Sequence, residues 1–140
     1  MHNPSNKIIF VNKTIFIQMS FNTEKKNNFT LLTFSTDKLD SIVSPDVKSE
    51  LVLVFKNGEN NVIVDLSSVR YCDSSGLSSL LIGYRLAQES NGIFIICGLQ
   101  TAVQKLITIS QLDSIIEITK TLPEAIALFT KLQQGKKKDS

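Results

Sequence analysis

One histidine, no tryptophan and two cysteines leave this 140-residue chain short of the side chains that most enzymes draw on. The histidine is His2, far in sequence from every other candidate group. Ser74-Ser75-Gly76 follows a strand-like run and opens a helical pattern, but it has no histidine base in reach of sequence reasoning and lacks the first glycine of a nucleophile elbow. Neither GxGxxG nor GxxxxGK[ST] occurs, and no His, Cys or carboxylate cluster has zinc-ligand spacing. These absences argue against independent catalysis, and no cofactor is expected. Cys72 and Cys97 lie far apart, at the ends of apolar segments and outside any CxxC pair, so both read as buried thiols in a reducing cytoplasm. No apolar run approaches the roughly 20 residues of a spanning helix, and the stretch from Ile8 to Ile17 is broken by Asn12, Lys13 and Thr14, so membrane insertion is not expected. The net charge of +2 draws on Lys136, Lys137 and Lys138, which leaves no basic stripe for nucleic acid.

What remains is the composition of an ordinary globular domain, 42% hydrophobic and 20% charged, at a length that suits one core. Strand-like runs fall at Phe29 to Phe34, Val62 to Leu66, Ile93 to Cys97 and Ile115 to Ile118. Helical patterns lie between and after them. The first is expected to take Ser44 as N-cap with Pro45 in its first turn, to bury Val47, Leu51, Val54 and Phe55, and to stop at Asn57-Gly58. The second runs from about Ser75 to Ser90 and stops at Asn91-Gly92, and the third from Thr101 to about Ile109 with Val103, Leu106 and Ile107 inward. The last opens on Thr121-Leu122-Pro123-Glu124, a capping-box pattern, and is expected to bury Ala125, Ile126, Phe129 and Leu132. Strand and helix alternate from Val62 onward, and the central strands are apolar throughout, as in a parallel sheet covered on both faces. The expected fold is therefore α/β, a single mixed sheet of four to five strands with about four helices. Residues 19–134 form the domain, after an extension at 1–18 and before a charged tail at 135–140. The extension has a competing reading, an edge strand or hairpin built from Ile8–Val11 and Ile15–Ile17.

The stretch from Val62 to Leu77 carries the most information: an apolar strand ending in Asp65-Leu66, a short loop, then Asp73-Ser74-Ser75-Gly76-Leu77. Here the chain resembles the STAS domain of anti-sigma-factor antagonists. Leu39-Asp40 before the first helix, Asn91-Gly92 before Ile93–Cys97, and Ala102–Leu112 match further parts of the family's pattern, so the resemblance spans about Phe29 to Phe129. It implies a STAS-type fold and a cytoplasmic regulator without catalytic residues. It also implies a partner, an anti-sigma factor that is a serine kinase of the histidine-kinase-like ATPase type, and a phosphatase where the modification is reversed. Ser75 matches the family's phosphoacceptor, and Asp40 a partner contact. The alternative that the resemblance leaves open is a constitutive interaction subunit of a transport or sensory assembly.

The residues add their own reading. A phosphate on a serine at a helix mouth brings about −1.5 to −2 charges next to Asp73, which favours release of a partner over unfolding. A helical wheel sets Leu77, Leu80, Leu81 and Tyr84 toward the sheet and Ser75, Ser79, Ile82 and Leu86 on the opposite side. Together with Asp40, which the resemblance implies, the expected partner surface is Asp73, Ser74, Gly76, Ser79, Ile82 and Leu86, with a covering neighbour helix as the other reading of Ile82 and Leu86. Ser74 or Ser75 also reads as the cap of its helix, Asp40 also as a turn-former, and Asp65 as the residue that positions the loop after it. The chain departs from the family at Ile82, where a small residue is usual, and at Asp37-Lys38, which stands where Gly-Glu is common.

Overall fold

The computed structural model describes the backbone of residues 6–11 and 14–138 and the side chains of 20–136. Strands β1 (Asn6–Val11) and β2 (Thr14–Met19) pair antiparallel as a ribbon of their own, with Ile8 opposite Ile17 and Phe10 opposite Ile15. The hairpin reading of the N-terminal stretch is the one found, and the ribbon joins no strand of the main sheet. Next come β3 (Phe21–Lys25) and β4 (Thr30–Phe34), an antiparallel pair whose turn is closed by Lys26 N–H donating to the Phe29 carbonyl at 2.8 Å. Two short segments, β5 (Lys38–Leu39) and β7 (Tyr71–Cys72), pair parallel beside the main sheet. Sequence periodicity cannot reveal pieces of two residues, because two positions define no period.

The helices are α1 (Ser44–Lys56), α2 (Ser74–Glu89), α3 (Thr101–Ile109) and α4 (Leu122–Lys138), and the remaining strands are β6 (Asn61–Asp65), β8 (Ile93–Cys97) and β9 (Glu117–Thr119). The main sheet runs β3-β4-β6-β8-β9, antiparallel at its first pair and parallel thereafter. Strand alternation splits the core between its two faces. Val62, Val64, Phe94 and Ile96 look toward α1, α2 and α3, whereas Ile63, Ile93, Ile95 and Cys97 look toward α4, whose Phe129 ring meets Phe29 edge-on at 5.2 Å. Both faces of β6 and β8 are therefore dry, which is why these strands read as unbroken apolar runs.

Four local expectations change. Ser44 is not the cap of α1: it is 1% exposed inside the first turn, behind Val43, and Asp40 satisfies the turn instead. Ile115 is exposed after a short 3-10 turn, so the last strand begins at Glu117 rather than at Ile115. Ile126 faces solvent, because its position on α4 turns past the edge of the sheet contact made by Ala125 and Phe129. The helix α4 also continues through the charged residues to Lys138, and Lys136 Nζ donates to the Asn91 carbonyl at 2.6 Å, tying the end of α4 to the end of α2. There Asn91 closes α2 with φ +56°, a left-handed conformation that asparagine tolerates better than most residues.

Candidate functional site at the mouth of the second helix

Parallel strand β6 ends at Asp65, and the chain must cross the carboxyl edge of the sheet before α2 can begin. Asp65 organises that crossing by accepting from Ser67 N–H at 3.0 Å, and Gln100 Nε2 donates to the Ser67 carbonyl at 2.6 Å. The loop then enters β7, whose register with β5 sets Leu39 beside Cys72 and brings Asp40 and Asp73 to adjacent positions. Asp73 N–H donates to the Leu39 carbonyl at 3.4 Å, which joins the approach to α2 with the approach to α1.

Each of the two carboxylates closes the turn that follows it. Asp73 caps α2: Oδ1 accepts from Gly76 N–H at 3.0 Å, while its backbone carbonyl accepts from Leu77 N–H. Asp40 Oδ1 accepts from Ile42 N–H at 3.1 Å and Val43 N–H at 3.2 Å. The cap of α2 is thus Asp73 and not Ser74 or Ser75, as aspartate is among the residues that satisfy orphan helix donors best. Both serines are left with hydroxyls that are unengaged among the described residues; Ser74 is exposed and Ser75 is half-buried.

Gly76 explains why a glycine follows the serines. A Cβ there would overlap the Leu39 carbonyl oxygen and lie 2.6 Å from Cys72 Sγ. About two turns along the helix, a Cβ at Gly83 would lie 2.5 Å from the Phe94 ring and 3.2 Å from Leu51. The inward stripe of α2 is therefore Gly76, Ser79, Leu80, Gly83 and Ala87. Small residues let the helix axis approach the sheet and α1 closely, with Leu80 buried among them and Leu77, Leu81 and Leu86 flanking the contact half-buried.

This rotation overturns part of the expected partner surface. Ser79 is 0% exposed, and its hydroxyl donates to the Gly76 carbonyl at 2.6 Å inside the helix. Leu86 packs against the core and Ile82 is half-buried, with α1 lying along α2. The wheel places Leu80 correctly in the core, with Leu77, Leu81 and Tyr84 packed against it, but it misses the phase of the closest contact, because it weights leucine over the small residues Gly76, Ser79, Gly83 and Ala87. Asp40, Asp73, Ser74, Ser75 and Gly76 do come together. Ile42 and Tyr71, which the sequence reading passed over, stand exposed beside them; an isolated apolar residue in a loop gives no periodic signal.

Cys72 lies beneath this mouth and Cys97 at the end of β8, both free and buried. Burial pushes each thiol up to about 12, with Asp73 adding to the rise at Cys72 and Asp65 at Cys97. The folded chain then holds protons that the unfolded chain releases near pH 9, so the thiols' contribution is intact below about pH 9 and is lost as pH rises toward about 12. Thermal melting followed against pH is expected to stay level from about pH 7 to 8.5 and to fall above about 9, with a smaller fall in Cys72→Ala. Iodoacetamide should modify the native thiols slowly at about pH 8 and rapidly in urea; equal rates would refute their burial.

Among the described residues no three His, Cys, Asp or Glu side chains gather as a metal site, and no helix is long and apolar enough to cross a membrane. A mixed sheet with three helices on one face, one on the other, and an aspartate-capped Ser-Ser-Gly turn at the carboxyl edge is an α/β domain of the STAS type. Residues 20–125 match the STAS domain family model, and the chain belongs to that family. BtrV of Bordetella bronchiseptica, described as an anti-sigma factor antagonist, is 26% identical over 91 residues, covering 65% of this chain and 78% of its own length. An anti-sigma-factor antagonist (STAS) domain protein from Planctomyces limnophilus superposes with TM-score 0.72 at 18% identity, over 79% of this chain and 97% of that one. The phosphorylated form of the Bacillus cell fate determinant SpoIIAA superposes with TM-score 0.62 at 19% identity, over 76% and 96% of the two chains.

Proposed function

We propose that this chain is an anti-sigma-factor antagonist that binds a serine-kinase anti-sigma factor while Ser75 is unmodified and is released when Ser75 is phosphorylated. The observation that carries the reading is the Ser75 hydroxyl, unengaged among the described residues at the first turn of a helix whose cap is supplied by another residue. Phosphorylation there need break no existing hydrogen bond of the side chain. The helix N-terminus offsets part of the new charge, by about 0.3–1 kcal/mol, and leaves the fold standing. What the phosphate alters is the surface: about two negative charges beside Asp73, where a partner had met a neutral hydroxyl. The antagonist description of BtrV supports the same role.

Incubation with a purified anti-sigma kinase and ATP is expected to add one phosphate, located on Ser75 by peptide mass spectrometry. Phosphate on Ser74, the more exposed of the two, would overturn the assignment. A second reading, a constitutive interaction subunit, draws on the partial burial of Ser75, since a kinase must reach a side chain that is only half exposed. Stable partner binding with no transfer to either serine would favour it.

A further inference from the structure

The parallel β5–β7 ribbon presents two different edges. Leu39 and Cys72 point into the core, whereas Lys38, opposite Tyr71 in the register, is exposed and Tyr71 is 52% exposed. Arg70, just before the ribbon, is exposed as well, its N–H bound to the Asp37 carbonyl at 2.8 Å. On the other side of Asp40 stands Ile42, 66% exposed, although the next residue, Val43, is buried. Two apolar side chains and two cations therefore border the turn that holds Ser74 and Ser75. Among the described residues Lys38 and Arg70 form no ion pair. The Asp40 and Asp73 carboxylates are committed to backbone N–H groups, and Asp37, just before β5, is a further exposed carboxylate.

We infer that Ile42 and Tyr71, with Lys38 and Arg70, form the surface by which this chain selects its kinase: a partner with an apolar recess for the two side chains and carboxylates facing the two cations. The inference rests on the reading of Ser75 as phosphoacceptor. A kinase that closes on Ser75 must cover the neighbouring surface, and the register carries Asp73 and the serines next to Asp40 and Ile42. An isoleucine and a tyrosine that are exposed in the free domain and desolvated in the complex are the side chains in which interface energy concentrates. Unpaired cations at the rim act mainly on the encounter rate and on the choice of partner.

The test uses the full chain and the purified serine kinase that transfers phosphate to Ser75. Ile42→Ser and Tyr71→Ala are each expected to weaken binding about ten-fold or more, mainly through faster dissociation. Lys38→Glu combined with Arg70→Glu should slow association about ten-fold at low salt, with the difference shrinking as salt is raised. All four positions are exposed, so melting should move by no more than about 2 °C; Ile42→Thr, which keeps the branched shape, serves where Ile42→Ser melts low. Phosphate transfer to Ser75 with all variants binding within about two-fold of wild type would overturn this surface and leave the switch intact. Loss of self-association in Ile42→Ser with unchanged kinase binding would reassign the surface to a second copy and overturn the inference. If no serine kinase binds the wild-type chain, the switch reading itself fails, and this surface with it.

Discussion

Gly76→Ala is expected to lower stability by about 2–3 kcal/mol, the upper part of the range for forcing a methyl group into a filled space. The obstruction is largely backbone: the new Cβ would overlap the Leu39 carbonyl oxygen, which β5 holds in place by its pairing with β7, and it would press on Cys72 Sγ at 2.6 Å. A flexible side chain could swing aside, but a paired strand cannot without giving up its partner. The helix mouth would have to move outward, stretching the 3.0 Å bond from Gly76 N–H to Asp73 Oδ1, so part of the cap is lost as well. Differential scanning calorimetry should show a melting temperature lower by roughly 10 °C for a chain of this size. Gly135→Ala is the control: no atom lies within 4 Å of its Cβ position, and alanine favours the α4 helix by up to about 1 kcal/mol. A Gly76→Ala protein that melts with wild type would show that the approach of α2 to β5 is looser than described.

The second large effect concerns the partner. Ser75→Asp is expected to weaken binding to the kinase by about 1–3 kcal/mol, a factor of roughly 5 to 150 in Kd. Ser75→Ala should bind like wild type, because the hydroxyl it removes has no hydrogen-bond partner among the described residues. The penalty in Ser75→Asp comes from a second carboxylate beside Asp73 and from a partner surface shaped for a neutral group. Asp73→Asn in the same chain should recover part of the loss. Asparagine caps a helix about as well as aspartate, so its side-chain oxygen can keep the Gly76 N–H while the charge disappears. Titration calorimetry on the four proteins decides the matter: equal affinities for wild type and Ser75→Asp would remove charge as the release mechanism.

The positions of β4, β6 and β8 and of all four helices were legible in the chain because burial on one or both faces leaves a period that any reader of the sequence can count. The Asp-Ser-Ser-Gly-Leu string was legible for another reason: its residue types are those of a turn that opens a helix, although the assignment of the cap to Asp73 and the close contact at Gly76 appear only in the structure. Less visible was the phase of α2. Gly76, Gly83 and Ala87 contribute little to any hydrophobic pattern, yet they form the face pressed against the sheet and α1, and this buried Ser79 and set Leu86, half-buried, against the core.

By itself, then, the sequence determined the α/β class, the order of elements, the family resemblance and the turn that carries Ser75, since these depend on residue type and local spacing. Which carboxylate caps which helix, how far Ser75 is exposed and which apolar residues are left outside were decided by the tertiary structure alone. The physical reason lies in the pairing of β5 with β7, two-residue segments separated by more than thirty positions, which sets Asp40 against Asp73 and Leu39 against Gly76. No local pattern records a contact of that range, because its energy comes from the packing of surfaces that meet only once the chain has folded.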